Sequence, residues 1–241
     1  MAASLTCDSL SLILGDTPVL RDVSLEFEAG RSVAIVGKSG AGKTSLLHCL
    51  SGLRSPSSGT VTLADNDVYA LSEFQRADLR LRNCGFVFQR ADLVSELTLL
   101  ENIALPLEFQ GRRRREAMLR AEELVVTLGL EECAGRRPDR VSGGQRQRAA
   151  VGRALASYPR VVFADEPTGA LDSENAEAVL TLLLQHSCTA GATLIMVTHD
   201  ESSAARCDRV IRMRDGRICE DSGEGLVVID AQVATPAAVE S

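Results

Sequence analysis

A glycine-rich stretch, "GKSGAGKTS" at 37–45, constrains the fold of this chain more than any other part of its sequence. It follows the apolar run "SVAIV" (32–36) and leads into "KTSLLHCLSGL" (43–53), whose leucines recur at helical spacing. The order strand, glycine loop and helix, with the spacing G-x-x-x-x-G-K-[ST], is typical of a loop that surrounds phosphate groups. A structural turn alone would need the glycines but not the Lys43–Thr44 pair.

The residue types of this loop explain how it would bind phosphate. Glycines let the backbone approach an anion closely and point N–H groups at its oxygens, and the following helix adds the positive end of its dipole. A lysine at this position reaches the β- and γ-phosphates of a nucleotide, and the hydroxyl after it is a ligand for Mg²⁺. The predicted nucleotide-binding residues are Gly37, Lys38, Ser39, Gly40, Ala41, Gly42, Lys43, Thr44 and Ser45, with Thr44 also on the metal.

Two acidic residues end a second apolar run, in "RVVFADEPTGALD" (160–172). Paired acids after a strand are commonly the solvated start of a loop. Beside a phosphate-binding loop, however, Asp165 would hold Mg²⁺, mainly through water, and Glu166 would polarise the water that attacks the γ-phosphate. The glycine-rich loop upstream therefore favours the catalytic interpretation.

The segment "RVSGGQRQRAAVGRAL" (140–155) contains a second candidate anion site. Ser142 suits the N-cap of the helix predicted after it, and Gly143 and Gly144 leave backbone N–H groups free to meet an anion. A capped helix after a loop is the simpler interpretation, but it does not explain the second glycine. The sequence thus predicts two phosphate-binding helix starts in one chain.

The order of the elements predicts an α/β fold. Short apolar runs bounded by polar residues, such as "ATLIMVTHD" (192–200), are typical of buried parallel strands. We expect a P-loop NTPase core with a mostly parallel sheet, an antiparallel β portion at the N-terminus and an inserted helical subdomain. The predicted divisions are a core of residues 1–88 and 159–222, a helical subdomain of residues 89–158, and a loose tail of residues 223–241.

Composition argues against several other classes of protein. The 241 residues carry a net charge of −7, which disfavours a nucleic-acid partner. The run "RRRR" (112–115) is typical of a solvated face or, as a second interpretation, of a contact with anionic lipid or an acidic partner. The apolar runs are too short to span a bilayer, and the N-terminus does not resemble a secretory signal. Seven cysteines without a C-x-x-C pair argue against a zinc site.

Together these stretches resemble the ATP-binding subunits of ABC transporters. "GKSGAGKT" resembles the Walker A motif, "VVFADE" the Walker B motif, and "VSGGQ", with Val141 for the usual leucine, the LSGGQ signature. "GALD" (169–172) resembles the D-loop, the glutamine of "FVFQ" the Q-loop residue, and the histidine of "MVTHD" the switch residue. The resemblance covers roughly residues 5–220, and six motifs in the family's order make it specific.

The resemblance implies that two copies of such a chain face head to tail and clamp ATP and Mg²⁺ between them. The glycine loop of one copy and the signature segment of the other would then hold one ATP. In that arrangement the γ-phosphate is contacted in trans by the segment Ser142, Gly143, Gly144 and Gln145. A single copy would bind ATP but hydrolyse it poorly.

Further residues take roles only through the resemblance. It implies that Gln89 senses Mg²⁺ and the attacking water, and that His199 contacts the γ-phosphate and orients Glu166. Asp172 would join the two nucleotide sites. Leu14 stands where the family usually places an aromatic residue against adenine, so the sequence departs from the family there.

A finer resemblance concerns "LTLLENIALPLEFQG" (97–111), read together with "ADEPTGALDS". Both are similar to the branch of lipoprotein-releasing, macrolide-exporting and antimicrobial-peptide-resistance ATPases. The resemblance implies a peripheral ATPase at the cytoplasmic face of a bacterial-type membrane, with integral-membrane permease subunits and a second copy of itself or a related subunit as partners. Two alternatives remain: the ATPase of a mechanotransmission complex that regulates the cell envelope without transport, and a soluble ABC ATPase acting on ribosomes or DNA.

Overall fold

The computed structural model describes residues 5–189 and 191–223. Apart from residue 223, the tail predicted at 223–241 lies outside the described residues. The strands are β1 (Leu5–Leu14), β2 (Thr17–Phe27), β3 (Ser32–Val36), β4 (Ser58–Leu63), β5 (Asn66–Asp67), β6 (Cys84–Val87), β7 (Val161–Asp165), β8 (Thr193–Thr198), β9 (Arg209–Arg214) and β10 (Arg217–Asp221). The helices are α1 (Lys43–Leu50), α2 (Glu73–Asn83), α3 (Leu99–Phe109), α4 (Arg114–Thr127), α5 (Gly143–Leu155), α6 (Ser173–Thr189) and α7 (Glu201–Ala204), and Pro138–Arg140 form a 3-10 turn.

An antiparallel sheet in the order β2-β1-β4-β5 forms the N-terminal part of the fold. Along β2, apolar residues alternate with polar ones, and Val23, Leu25 and Phe27 are buried while the residues between them are exposed. Successive side chains of a strand point to opposite faces, so this alternation buries one face of the sheet and leaves the other in solvent.

A second sheet carries the candidate site, in the order β10-β9-β3-β8-β7-β6. Its strands run parallel from β9 to β6, and β10 pairs antiparallel with β9. Strands β3, β7 and β8 are almost continuous apolar runs, because helices or the other sheet cover both of their faces. The register pairs Val36 with Thr198 and Asp165 with Val197, so the loops after these three strands begin at one edge of the sheet.

Alternate residues of the central strands face two separate cores. Val33 and Ile35 pack with the buried face of the antiparallel sheet and with α1. Ala34 and Val36 pack with α6 and with α3, α4 and α5, the helices that lie between β6 and β7 along the chain. The α/β fold with a mostly parallel sheet, an antiparallel N-terminal part and inserted helices is therefore as predicted.

Helix α2 was not predicted from the sequence. Seven of the eleven residues in its sequence "EFQRADLRLRN" are polar, and none of the eleven is fully buried. A signal was present at its start, where Ser72 and Gln75 form a reciprocal capping box. In the described residues we find no helix with the length and apolar character needed to cross a membrane.

Candidate active site

The glycine-rich loop leaves β3 and turns sharply into α1. Gly42 precedes the first residue of the helix and has a left-handed backbone, with φ of 97°. A Cβ atom there would also lie 2.8 Å from the carbonyl oxygen of Val19. Both the backbone conformation and the close approach therefore require glycine at the start of α1, where the backbone N–H groups point out of the helix.

Lys43 lies against its own loop. The side chain is 8 % exposed, and its Nζ donates to the carbonyl oxygens of Gly37 at 2.9 Å and Lys38 at 3.3 Å. These two carbonyls hold the ammonium group inside the curve of the loop. The positive charge is thus already located where phosphate oxygens would enter.

The metal candidates Thr44 and Asp165 are in direct contact. The Thr44 hydroxyl donates to Oδ1 of Asp165 at 3.1 Å, which joins the start of α1 to the end of β7. Burial raises the pKa of Asp165, because a low-dielectric surrounding disfavours the charged carboxylate. A hydroxyl and a carboxylate are hard oxygen donors of the kind that Mg²⁺ prefers, so these residues fit that ion.

Glu166 is held in an uncommon conformation at the end of β7. Its φ is 47°, in the left-handed region, and its backbone N–H donates to the carbonyl oxygen of Val197 at 2.9 Å. The carboxylate Oε2 lies 2.8 Å from Nδ1 of His199, the residue that follows β8. The predicted catalytic pair is therefore in hydrogen-bond contact.

A cavity of about 360 Å³ lies beside the glycine-rich loop and is lined by several of the predicted site residues. A cavity of this size is in the range of small-molecule sites. Its lining residues are Val19, Ser39, Gly40, Ala41, Gly42, Lys43, Thr44, Ser45, Gln89, Glu166 and His199. The structure thus brings together most of the predicted phosphate loop with Gln89, Glu166 and His199.

Other predicted site residues lie elsewhere. The signature segment 142–145 is at the start of α5, where Ser142 caps the helix as predicted: the Gln145 N–H donates to Ser142 Oγ at 3.2 Å, and Gln145 Oε1 accepts from the Ser142 N–H at 3.0 Å. Asp172 precedes α6. Neither segment is among the residues that line the cavity.

Leu14 does not line the cavity either. It ends β1 and is 40 % exposed, whereas Val19, which the sequence did not single out, is part of the wall. The two tyrosines are engaged elsewhere, since the Tyr69 hydroxyl donates to backbone carbonyls and the Tyr158 ring lies under Arg120. The assignment of Leu14 to the base remains a prediction.

Two side chains of α5 that sequence reasoning missed position the loop of Gln89. Gln147, which is 2 % exposed, donates to the carbonyl oxygen of Phe88 at 2.8 Å. Arg153 donates to the carbonyl oxygens of Asp92 at 2.7 Å and Ala91 at 3.0 Å. In the polar run "QRQR" nothing distinguishes a buried glutamine from an exposed one, so the sequence carried no clear signal for this contact.

The fold and the cavity define a P-loop ATPase with an inserted helical segment. A model of the family described as "ABC transporter" matches residues 20–169, a range that contains the phosphate loop, Gln89, the signature segment, Asp165 and Glu166. This chain belongs to the ABC transporter family. The predicted family and its class of ATP-hydrolysing cassette are thereby confirmed.

Two curated relatives represent the predicted branch. The chain is 48 % identical, over 200 residues, to the lipoprotein-releasing system ATP-binding protein LolD of Syntrophotalea carbinolica, with 83 % of this chain and 88 % of that protein covered. It is 44 % identical, over 225 residues, to the macrolide export ATP-binding/permease protein MacB of Bradyrhizobium diazoefficiens, with 92 % and 34 % covered. The chain therefore spans about a third of the length of MacB.

A solved structure has the same fold. The ATP-binding cassette MJ0796, in a dimeric post-hydrolysis state bound to ADP and Pi, superposes with a TM-score of 0.83 at 34 % identity. The match covers 90 % of this chain and 97 % of that one.

Proposed function

We propose that this chain is the ATP-binding and ATP-hydrolysing subunit of a membrane ABC complex, and that two copies work as a head-to-tail pair. The observation that carries this proposal is that the two predicted phosphate-binding segments of the chain lie apart from each other. The phosphate loop, Gln89, Glu166 and His199 share one cavity, while the second glycine-rich helix start lies outside it on the same chain. A second copy, turned head to tail, would supply that helix start to the nucleotide.

The chain's own residues would divide the chemistry as follows. Lys43 and the loop N–H groups bind the phosphates and stabilise the charge that develops on the γ-phosphoryl group. Glu166 accepts a proton from water as the water oxygen bonds to the γ-phosphorus and the bond to the β–γ bridging oxygen breaks, which releases ADP. His199, 2.8 Å from Glu166, keeps the carboxylate oriented for this step. Ser142 and Gly144 of the second copy complete the phosphate cradle.

Thr44, Asp165 and Gln89 are the residues proposed to hold Mg²⁺. Thr44 and Asp165 are already in contact, and Gln89 lines the same cavity as Thr44. When bound, the ion would neutralise charge on the phosphate oxygens. These three residues would supply oxygen ligands from the start of α1, the end of β7 and the loop that follows β6.

The proposed partner is an integral-membrane permease, at the cytoplasmic face of a bacterial membrane. The relatives' names support this partner, since one is an ATP-binding protein of a lipoprotein-releasing system and the other combines ATP-binding and permease functions. An apolar groove between α3 and β6 offers a contact surface. It is lined by Leu105, Pro106, Phe86 and Phe109, and the Phe109 side chain is 68 % exposed.

Co-purification from membranes tests this function. The chain should be recovered with a permease, and Phe109→Asp should reduce that recovery because it places a charge in the groove. Phe74→Asp is the matched control, since Phe74 is 84 % exposed on α2 and does not line the groove. Equal recovery with both variants would exclude the groove, and recovery with ribosomes instead of membranes would favour the soluble alternative.

A further inference from the structure

The D-loop and the signature segment touch each other within one chain. Gly143 and Gly144 begin α5, and residues 169–172 form the loop before α6. A Cβ atom built on Gly143 would lie 3.6 Å from Cδ2 of Leu171, and one built on Gly144 would lie 2.1 Å from Oδ1 of Asn175. The Asn175 side chain therefore occupies the space that any side chain at position 144 would need. Since Gly144 lies inside a regular helix, this close approach, rather than backbone conformation, explains the glycine.

The other end of the same amide holds the D-loop. Nδ2 of Asn175 donates to both carboxylate oxygens of Asp172, at 3.0 Å and 2.8 Å. The backbone N–H of Asn175 also donates to Asp172 Oδ1 at 2.9 Å, which is the arrangement of an N-cap for α6. These N–H groups, the backbone one first, lower the pKa of Asp172 because they stabilise its carboxylate.

We propose that Asn175 is a positioning residue that fixes the D-loop and the signature segment of one chain as a single unit. This inference rests on the proposed head-to-tail pair, in which that unit meets the nucleotide held by the second copy. Asn175 does not line the phosphate cavity of its own chain. Its side chain should therefore matter for the joining of two copies and not for the binding of ATP to one copy.

Truncation of Asn175 separates this role from the stability of α6. In Asn175→Ala, the backbone N–H at 175 still donates to Asp172, so the helix keeps its cap. The two side-chain hydrogen bonds and the contact with Gly144 are lost. Asn175→Ser is a conservative rescue, because its hydroxyl can still donate to the carboxylate. Asn66→Ala is the matched control, since Asn66 is exposed in β5 and donates to the nearby Ala64 carbonyl.

The experiment measures ATP-dependent dimerisation in the Glu166→Gln background, by sedimentation at several protein concentrations with ATP and Mg²⁺. We expect Asn175→Ala to weaken the dimer by about tenfold, because each chain must then order its D-loop when the pair forms. Asn175→Ser should lose less, and Asn66→Ala should lose nothing. A fluorescent ATP analogue should bind the monomeric variants with unchanged affinity.

The outcomes are distinguishable. If the Glu166→Gln chain with Asn175 intact does not dimerise with ATP, the proposed pair is wrong and the inference with it. If it dimerises and Asn175→Ala dimerises equally well, only the positioning role is wrong. Weaker binding of the analogue to monomeric Asn175→Ala would place the effect in the chain's own site, and no rescue by Asn175→Ser would exclude the contact with Asp172 as the cause.

A mixing experiment tests the direction of the effect. One pair combines a Lys43→Ala chain with an Asn175→Ala chain, and the other combines a double-mutant chain with a chain that carries neither change. In the trans arrangement the first pair has one site with both lesions and one with none, whereas the second has one lesion in each site. We expect higher turnover from the first pair. Equal turnover, or higher turnover from the second pair, would contradict a role in trans.

Discussion

Nδ1 of His199 lies 2.8 Å from Oε2 of Glu166, and both side chains line the cavity that contains Lys43 and Thr44. The two residues follow neighbouring parallel strands, β8 and β7, whose ends meet at one edge of the sheet. The contact places an imidazole directly beside the carboxylate proposed to accept the proton of water. Removal of the Glu166 carboxylate should therefore lower the rate of ATP hydrolysis far more than it lowers the affinity of the protein for ATP.

Glu166→Gln should bind ATP but turn it over about 10²–10⁴-fold more slowly, because the amide keeps the shape of the side chain and cannot accept the proton. The ATP-bound dimer should accumulate, which size-exclusion chromatography with ATP and Mg²⁺ would show. Glu122→Gln, at an exposed position of α4, is the control and should behave as the wild type. Turnover at the wild-type rate in Glu166→Gln would mean that the base lies elsewhere.

Lys43→Ala should weaken ATP binding by about 10–100-fold, since it removes charge-assisted hydrogen bonds to the phosphates. Titration with a fluorescent ATP analogue measures this change, and thermal unfolding checks that the fold persists. Arg115→Ala is the control for loss of a positive charge, because Arg115 is exposed on α4 and does not line the cavity. An unchanged affinity in a folded Lys43→Ala protein would contradict the phosphate assignment.

Ser142→Arg should leave ATP binding to the monomer nearly normal and abolish turnover, because a large cation would fill the phosphate cradle offered to the second copy. Mixing it with Lys43→Ala should restore part of the activity, since one site of the mixed pair then carries both lesions and the other carries neither. ATPase assays over a range of mixing ratios measure the recovery. No recovery at any ratio would count against the head-to-tail pair.

Gly85→Ala should destabilise the fold by about 1–3 kcal/mol through overpacking. A Cβ atom at this position of β6 would lie 2.3 Å from the carbonyl oxygen of Ala154 on α5, which is too close for any real contact. Gly135→Ala is the control, because no atom lies within 4 Å of its added Cβ and its backbone is not left-handed. Melting curves followed by circular dichroism should show a lower midpoint for Gly85→Ala alone.

Leu14→Tyr should tighten the binding of both ATP and GTP, by up to the ~1–3 kcal/mol that stacking on a base contributes in nucleic-acid complexes. The wild type should accept GTP almost as well as ATP, since neither Leu14 nor Val19 can form a hydrogen bond to the base through its side chain. Dissociation constants of both nucleotides for both proteins decide the matter. A strong ATP preference in the wild type, with no gain in the variant, would show that another group holds the base.

The site residues predicted from the sequence are those whose proposed role only a few residue types can fill. A lysine and a hydroxyl after a glycine loop, or two acids at the end of an apolar strand, have restricted spacing because in the proposed site they would act on one phosphate group. Contacts that only hold these parts in place are freer in residue type. Gln147 and Arg153 donate to backbone carbonyls near Gln89, which many donors could do, so their sequence context gave no indication.

Burial also decides which elements of the fold the sequence indicates. Strands β3, β7 and β8 are visible as apolar runs because both of their faces are covered. Helix α2 buries no residue fully and is mostly polar, so no apolar run marks it in the sequence. Asn175 was missed because its two contacts join segments that lie far apart in the sequence, at Gly144 and Asp172, and only the packing of α6 against α5 brings them together.

The left-handed backbone of Glu166 bears on how this protein would respond to engineering or evolution. A residue with a side chain loses about 1–2 kcal/mol in that conformation, whereas glycine adopts it freely. Glycine at 166 would thus relieve the backbone while it deletes the carboxylate. Glu166 is the proposed base, so selection for heat resistance alone would favour loss of that base, and a library screened for melting temperature must also be screened for turnover.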